Sequence, residues 1–201
     1  MFFRKKSDFS EHDLLSVIQG CINQDARAQR TLFQQYFSFA KSISLRYSSS
    51  AEEAEEILNE SFLKVFQHIE RYDSTQPFKA WLRTIVVNTA ISYYRKNQKF
   101  HGEIGLDGIA EPAHYDNAME QIAAEEILAL VQQLKPIYRT VFMMHVVDGY
   151  HLREIADALD FNEATVRSHF LRARTKLQEM MRHTHPFFFN KQHGTNYKER
   201  L

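Results

Sequence analysis

The spacing of hydrophobic and polar positions along this 201-residue chain predicts helices throughout and almost no strand. In most segments apolar residues recur three and four positions apart, which is the period of one face of an α-helix. Glycine and proline, which interrupt helices, number only six and four. The expected fold class is therefore all-α. The pattern predicts helices over residues 13–21, from 25 to about 45, 51–66, 78–96, 116–134, 136–147 and 151–159, and a last helix after Asn162.

Residues typical of helix ends support several of these boundaries. The run Ser48–Ser50 and Asn162 are good N-caps, because their side-chain oxygens can accept a hydrogen bond from a free backbone N–H of the first turn. Pro136 suits the first turn of a helix, and Gly149 is expected at the position that follows a helix end. Asp13 and Asp25 precede the first two helices.

Residues 150–177 form the pattern of two short helices joined by a tight turn. On the second helix Val166, Phe170, Ala173 and Leu177 share one face, and the opposite face is small, polar and basic. A helix-turn-helix domain places such a second helix in the major groove of DNA. A solvated helix in an ordinary helical hairpin has the same pattern, so spacing alone leaves both interpretations open.

The helix over residues 51–66 begins with four glutamates in five positions, at 52, 53, 55 and 56. Acidic residues at a helix start complement the helix dipole, at about 0.3–1 kcal/mol each. Four crowded acids exceed what this effect needs, and their mutual repulsion costs stability. The pattern therefore favours a surface that binds a basic partner.

The loop over residues 71–77 leads into a helix that ends with aromatic and basic residues. Tyr93, Tyr94, Arg95 and Lys96 stand in a row there, and aromatic rings beside cations are typical of single-stranded nucleic-acid binding. Cations at a helix C-terminus also complement the dipole. From the residues alone, a solvated helix end explains the pattern equally well.

The charges are balanced in number but not in position. The chain has 25 basic and 25 acidic residues and a formal net charge of zero, so no overall basic field indicates nucleic acid. Residues 100–123 contain five acids and no Lys or Arg, whereas the last helix is basic. Residues 100–115 also contain three of the six glycines, which predicts an acidic linker between two small helical domains.

Several features indicate a cytoplasmic protein without catalytic chemistry. Cys21 is the only cysteine, which excludes an internal disulfide and favours a reducing compartment; we interpret it as a small buried hydrophobe. No apolar run is long enough to span a membrane, and the first residues do not resemble a secretory signal. No nucleophile–base pair, phosphate loop or metal ligand set is present, so we expect neither enzyme activity nor a cofactor.

The last helices carry short motifs that resemble a known family. Glu154-Ile155-Ala156, then Thr165-Val166-Arg167-Ser168 and Arg172-Ala173-Arg174, are similar to the C-terminal DNA-binding region of extracytoplasmic-function (ECF) sigma factors, subunits of bacterial RNA polymerase. The family commonly has glycine in the turn where this chain has Asp160, which tolerates a left-handed backbone better than most residues. The resemblance implies recognition of the promoter −35 element by Thr165, Arg167, Ser168, Leu171, Arg172, Arg174 and Lys176.

The acidic helix matches the family's motif for docking on the large polymerase subunit. That motif reads D-x-E-D-hydrophobic-x-Q-E-x-F, and this chain places Glu53, Glu55, Glu56, Ile57, Glu60 and Phe62 on it, with Asn59 at the Gln position. The substitutions of Glu for Asp keep the charge. The resemblance therefore implies core RNA polymerase as a partner, bound through Glu53, Glu55, Glu56, Asn59 and Glu60.

The loop before F-K-A-W-L and the basic helix end resemble the family's promoter-opening segment. In the family this loop captures a flipped base and the helix holds the melted −10 element. The resemblance implies −10 contacts by Asp73, Ser74, Thr75, Gln76, Trp81, Asn88, Tyr93, Arg95, Lys96 and Lys99. Pro77 ends the same loop. Promoter DNA is thus the second expected partner, and an inhibitory anti-sigma factor is implied by the family alone.

The resemblance covers roughly residues 10–180 and implies a division of the chain. The expected parts are a region 2-like domain over 10–99, a linker over 100–116, a region 4-like helix-turn-helix domain over 117–182, and a C-terminal extension over 183–201. The extension contains His183, His185, His193 and three consecutive phenylalanines; the histidine spacing matches no metal site we can name.

Two other functions fit parts of the pattern. A conventional helix-turn-helix regulator would bind a specific duplex tightly without polymerase. A protein–protein adaptor would use the acidic helix alone, and its second short helix would have no role in DNA binding. An alternative sigma factor that directs promoter-specific initiation accounts for all the motifs together.

Overall fold

The computed structural model describes residues 9–101 and 120–184, and these residues are helices joined by short turns without a strand. This confirms the all-α expectation. A short 3-10 helix, Ile69–Arg71, follows the third α-helix. The α-helices are α1 (Leu14–Ile22), α2 (Ala26–Tyr47), α3 (Ala51–His68), α4 (Phe78–His101), α5 (Glu120–Gln132), α6 (Pro136–Val146), α7 (Leu152–Leu159) and α8 (Glu163–Thr184).

Side-chain caps fix the starts of the first three helices. The Asp13 carboxylate accepts hydrogen bonds from the backbone N–H groups of Leu15 and Ser16, at 3.2 and 3.3 Å. Asp25 accepts one from the Arg27 N–H at 2.8 Å, and Ser50 is the N-cap of α3. Each cap satisfies an N–H that has no partner within its helix, which is worth about 1 kcal/mol.

The chain divides into two compact units, within Met1–Leu106 and Asp107–Leu201. In the first unit α2 packs against α1, α3 and α4, and α3 packs against α4. Apolar side chains from all four helices meet between them and are removed from water, which is the main force that holds the unit together. The fully buried ones include Val17, Leu32, Ile43, Ile57, Val65, Leu82 and Val86.

In the second unit α8 packs against α5, α6 and α7, and α6 packs against α7. Its buried apolar side chains include Val131, Val141, Met144, Ile155, Val166 and Ala173. Arg139 of α6 is also buried, at 1% exposure, and its Nη1 donates a hydrogen bond to the Gln132 carbonyl at 2.9 Å. This cation therefore joins the C-terminal end of α5, where free carbonyls favour positive charge, to α6.

Some helix boundaries differ from the sequence expectation. α4 continues to His101, so the first residues assigned to the linker are helical. α6 ends at Val146, and Gly149 lies two residues beyond its cap, Val147. The φ angle of Gly149 is +78°, which explains the glycine. The predicted start of the fifth helix near residue 116, the start of the region 4-like domain at 117, the rest of the linker and residues 185–201 lie outside the described residues.

Cys21 is 2% exposed and lies on the inner side of α1. Burial, together with a smaller effect of the nearby Asp25 carboxylate, raises the pKa of its thiol to about 12. A thiol with so high a pKa carries almost no thiolate near neutral pH, and the thiolate is the reactive form. Its role as a small buried hydrophobe is confirmed.

Neither a membrane span nor a metal cluster occurs among the described residues. No helix there is long and apolar enough to cross a membrane. No group of three or more His, Cys, Asp or Glu side chains in the same ranges is placed to hold a metal ion. Two of the three histidines considered as weak metal ligands, His185 and His193, fall in the part of the chain that is not described.

We predict that Gly20→Ala destabilises the contact between α1 and α2. A Cβ at residue 20 would lie 2.6 Å from the Ala28 Cβ and 3.5 Å from the Phe9 ring, so the two helices would have to move apart. Overpacking of this kind costs about 1–3 kcal/mol, which thermal unfolding by circular dichroism would detect. Gln19→Ala, an exposed neighbour on the same helix, is the control. Equal unfolding temperatures for both variants would contradict this close approach.

Candidate nucleic-acid interface

The turn between α7 and α8 has the geometry of a helix-turn-helix. Asp160 ends α7 in the left-handed conformation, with φ 60° and ψ 43°, as expected from the sequence. The Asn162 Oδ1 caps α8 by accepting the Thr165 N–H at 2.7 Å. At the other end of α7, the Glu154 carboxylate accepts the His151 N–H at 2.7 Å. The Glu of the E-I-A motif is therefore a capping residue.

Aromatic contacts hold α8 against α6 and the turn. Phe170 meets the His145 ring edge-on, with centroids 4.8 Å apart. His169 lies 5.5 Å from the Tyr138 ring and 5.8 Å from the Phe161 ring. These half-buried rings fix how α8 is rotated, and hence which of its side chains face outward.

The outward side of α8 is a neutral strip between two basic rows. At about 100° per residue, the centre of this side is occupied by Ala164, Ser168, Leu171 and Thr175. Leu171 is 53% exposed and offers an apolar contact at the centre of the strip. One edge carries Arg167 and Arg174, and the other carries Thr165, Arg172 and Lys176. Helical spacing places Ala164 and Thr175 on this strip too, although the expected −35 set did not include them.

Three of the basic side chains have weak partners on the same surface. Arg167 forms an ion pair with Glu163 at 2.9 Å, and Lys176 lies 3.9 Å from Glu179. The Arg172 Nη1 is 3.5 Å from the Tyr138 hydroxyl. Exposed pairs of this kind are worth about 0–1 kcal/mol, so these cations can exchange their present partners for a phosphate or a base.

Glu53 has a local structural role at the start of α3. Its backbone N–H donates to the Ser50 Oγ at 3.3 Å, and its carboxylate accepts the Ser49 N–H at 2.6 Å. This reciprocal arrangement is a capping box shifted by one residue, because the carboxylate reaches the N–H of Ser49 rather than that of the N-cap, Ser50. Glu53 is half-buried, whereas Glu55 and Glu56 are exposed, so the motif's first acid is already engaged within the helix.

The exposed acids of α3 form one continuous side, which we call the acidic face. At 100° per residue it consists of Glu52, Glu55, Glu56, Asn59 and Leu63. Leu63 is 52% exposed. Glu52 and Leu63 were not among the expected site residues, although helical periodicity alone places them beside the others.

Glu60 lies at the edge of the acidic face and has a partner there. Its carboxylate is 3.3 Å from the Lys64 ammonium, which also donates to the Thr89 hydroxyl of α4 at 3.3 Å. Lys64 thus connects α3 to α4. This pairing reduces the charge that Glu60 presents to a partner.

The loop after the 3-10 helix is closed by hydrogen bonds at both ends. The Asp73 carboxylate accepts the Thr75 N–H at 2.9 Å, and the Gln76 N–H donates to the Asp73 carbonyl at 3.0 Å. The Tyr72 hydroxyl donates to the Gln76 carbonyl at 2.6 Å. The bonds from Thr75 also lower the pKa of the Asp73 carboxyl. All side chains from Asp73 to Pro77 remain exposed.

Four aromatic rings lie together under this loop, and we call them the aromatic cluster: Tyr36, Tyr72, Phe78 and Trp81. Phe78 is at the centre, with centroid distances of 4.7 Å to Tyr36, 5.2 Å to Tyr72 and 5.5 Å to Trp81. Tyr72 and Trp81 are also 5.5 Å apart. The cluster therefore attaches the loop to the first turn of α4.

The outer side of α4 brings together part of the expected −10 set. Trp81, Asn88 and Arg95 fall on one side at helical spacing, with Lys96 at its edge; Trp81 is half-buried and the other three are exposed. Thr84 and Ser92, which the sequence expectation left out, are exposed on the same side. Lys99 is part of α4, but its side chain lies outside the described residues.

Tyr93 does not share that side. Its hydroxyl forms hydrogen bonds with Asn97 and with Glu56 of the acidic face, and its pKa is raised chiefly by burial. The structure therefore places this tyrosine at the junction of α3 and α4. The Glu53 and Glu56 carboxylates, which also raise its pKa, come from the other helix and cannot be found from the α4 sequence alone.

Known proteins with ECF in their names are similar to this chain over most of its length. The ECF RNA polymerase sigma factor SigM of Bacillus subtilis is 25% identical over 74% of this chain and 92% of its own. SigL of Mycobacterium tuberculosis is 29% identical over 83% of this chain and 98% of its own. The solved RpoE–NepR sigma/anti-sigma complex of Bartonella quintana is 20% identical, with a TM-score of 0.48, over 76% of this chain and 96% of that one.

Two family models match the two units separately. Sigma-70 region 2 matches residues 32–100, from within α2 to the end of α4. Sigma-70 region 4 matches residues 124–177, from within α5 into α8. The two matches together cover more than half of the chain. This chain is an ECF sigma factor of the sigma-70 family. α1 lies before the region 2 match and packs on α2.

For this sigma factor we predict that Asp160→Gly is stabilising. A left-handed backbone costs a residue with a Cβ roughly 1–2 kcal/mol, and the greater freedom of glycine in the unfolded chain offsets part of that gain. The expected gain in the free energy of unfolding is up to about 1 kcal/mol. Denaturant unfolding of the whole chain would measure it.

Asp157→Gly is the matched control, because Asp157 is exposed inside α7. There glycine should destabilise by about 1 kcal/mol. If the two substitutions changed stability in the same direction, the left-handed turn would not be the conformation in solution.

Proposed function

We propose that this chain binds core RNA polymerase and directs initiation at promoters whose −35 element it reads as duplex and whose −10 element it melts and holds. The observation that carries the proposal is the neutral strip of α8 between two basic rows, on a chain whose other unit matches sigma-70 region 2. Work of this kind takes place in the cytoplasm and uses binding alone, without catalysis by the chain itself.

The acidic face of α3 is the proposed polymerase-docking surface. Its exposed carboxylates and Asn59 can pair with a basic partner, and Leu63 supplies an apolar contact at the C-terminal end of the face. Charged rims and an apolar centre are typical of protein interfaces. Glu55 and Glu56 are the main acidic contacts, Glu60 is a weaker one because of Lys64, and Glu53 acts mainly through its capping box.

The loop over Asp73–Pro77 and the outer side of α4 are the proposed −10 site. The loop has a fixed backbone and five exposed side chains, which suits capture of a single flipped base. Trp81, beside the loop, offers a ring for stacking, which is worth about 1–3 kcal/mol per base. Asn88, Arg95 and Lys96 follow along the helix and can hold the phosphates of the melted strand.

The outward side of α8 is the proposed −35 site. A strip of small side chains lets the helix approach base edges closely, and Leu171 can contact a thymine methyl group. The two basic rows face the two walls of the groove, where Arg174 and Lys176 can bind phosphates. Arg167, Ser168 and Arg172 are the residues proposed to donate to bases, with Thr165 beside the helix start.

Neither DNA site alone is expected to bind tightly. Each supplies few phosphate contacts, so free-chain affinity should be low and sensitive to salt. When both units sit on one polymerase, the second contact becomes intramolecular and gains from a high effective concentration. Membership of the family implies an anti-sigma protein as a further partner, which would act by covering one of these surfaces.

Run-off transcription tests the proposal directly. The chain is added to bacterial core RNA polymerase on a library of genomic promoter fragments, with core alone as the control. New discrete start sites that share two upstream motifs are the expected result. Specific duplex binding by the chain alone, without new starts, would support a conventional helix-turn-helix regulator instead.

We predict that Glu55→Lys weakens core binding at least about 5-fold at low ionic strength, with a smaller effect at high salt because exposed charges are screened. A fluorescence-anisotropy titration of labelled chain with core polymerase would measure this. Glu11→Lys makes the same charge change at an exposed position before α1 and should bind normally.

Glu53→Gln separates the two roles in the acidic motif. Its amide oxygen can still accept the Ser49 N–H, so core binding should persist. A loss as large as that of Glu55→Lys would mean that the Glu53 charge is itself a docking contact. Helicity by circular dichroism must be unchanged in each variant; an unfolded Glu55→Lys would show that the acid is structural.

We predict that Arg172→Ala reduces holoenzyme binding to promoters by about 1–3 kcal/mol, as expected for the loss of a base-reading arginine. The loss should depend on the −35 sequence and should shrink when that element is scrambled. Arg182→Ala removes an exposed cation from the last turn of α8 and should have little effect. An equal loss of affinity on native and scrambled promoters would indicate that Arg172 binds a phosphate and does not read a base.

A further inference from the structure

The Tyr72 side chain joins the loop over Asp73–Pro77 to the rest of the first unit. Its hydroxyl donates to the Gln76 carbonyl at 2.6 Å, across the open end of the loop. Its ring meets Phe78 edge-on at 5.2 Å and lies 5.5 Å from Trp81. One residue thus contacts both the loop backbone and the first turn of α4.

Only a few hydrogen bonds keep the shape of this loop. Its five side chains are exposed, so no apolar burial stabilises it. Two bonds lie within it, from the Thr75 N–H to the Asp73 carboxylate and from the Gln76 N–H to the Asp73 carbonyl, and the Tyr72 hydroxyl adds the bond that joins the Gln76 carbonyl to the aromatic cluster. An ordered but exposed loop adds little to the stability of the fold. Because its shape is already set, however, no entropy cost of arranging the binding site arises when the ligand binds.

We propose that Tyr72 is a positioning residue, whose hydroxyl holds the loop in the shape that receives the flipped −10 base. This inference rests on the proposed function, because it assumes that the loop captures a base. Tyr72 acts through the backbone at Gln76 and through Trp81, while the exposed loop side chains make the contact with the base. The Tyr72 ring attaches the loop to the aromatic cluster, and the hydroxyl holds the loop backbone at Gln76. The two contributions can therefore be separated by mutation.

Tyr72→Phe removes the hydroxyl and keeps the ring. It should leave thermal unfolding and core binding unchanged. Affinity of the holoenzyme for a single-stranded −10 oligonucleotide should fall about 2- to 10-fold, the effect of one lost hydrogen bond. Tyr36→Phe is the matched control, because it removes a hydroxyl from the α2 side of the same aromatic cluster, and it should bind as the wild type does.

The decisive measurement repeats the binding assay with an abasic site at each −10 position in turn. In the wild type, one abasic position should cost much more affinity than its neighbours. In Tyr72→Phe, an abasic site at that position should reduce affinity by little more than an abasic site at a neighbouring position. The reason is that two changes that act on one contact are not additive. A merely structural tyrosine would lower all affinities equally and leave the profile unchanged.

Two results would overturn the inference, and they differ in what else they contradict. If Tyr72→Phe keeps the wild-type profile, Tyr72 does not position the loop, but base capture stands. If the wild-type profile has no sensitive position, base capture is wrong and the inference falls with it. New start sites in run-off transcription would still identify a sigma factor in either case.

Discussion

The first unit depends on the burial of the inner side of α4 against α2 and α3. Leu82, Val86 and Ala90 on that side are at most 3% exposed, and burial of a large apolar side chain is worth about 1.5–3 kcal/mol. Side chains on a helix are fixed relative to one another, so this burial also sets the rotation of α4. Asn88 and Arg95 face outward as a consequence, and the loop before the helix is held at its side.

The second unit applies the same constraint to α8. Val166, Ala173 and Leu177 are buried, and the opposite side of the helix is then the only one that can face a ligand. This burial and the ring contacts of His169 and Phe170 together leave Leu171 facing outward. The apolar residues of each unit thus determine which polar residues face outward, where a partner can reach them.

The sequence predicts what depends on neighbouring residues. The Asn162 cap and most helix positions follow from local spacing, and the structure confirms them. The Glu53 cap also follows from the sequence, since Ser50 stands three residues earlier as in a capping box. The location of Tyr93 could not be predicted from local spacing, because its hydrogen bond to Glu56 exists only where α3 meets α4.

The ion pair between Glu163 and Arg167, 2.9 Å apart, has a consequence for how α8 responds to salt. Each cation that binds a phosphate releases condensed counterions from DNA. Arg167 already carries its own counterion in the form of a glutamate, and Lys176 lies near a second one, Glu179. α8 thus carries negative side chains beside its cations, so its proposed binding to DNA should release fewer ions than a count of its basic residues suggests.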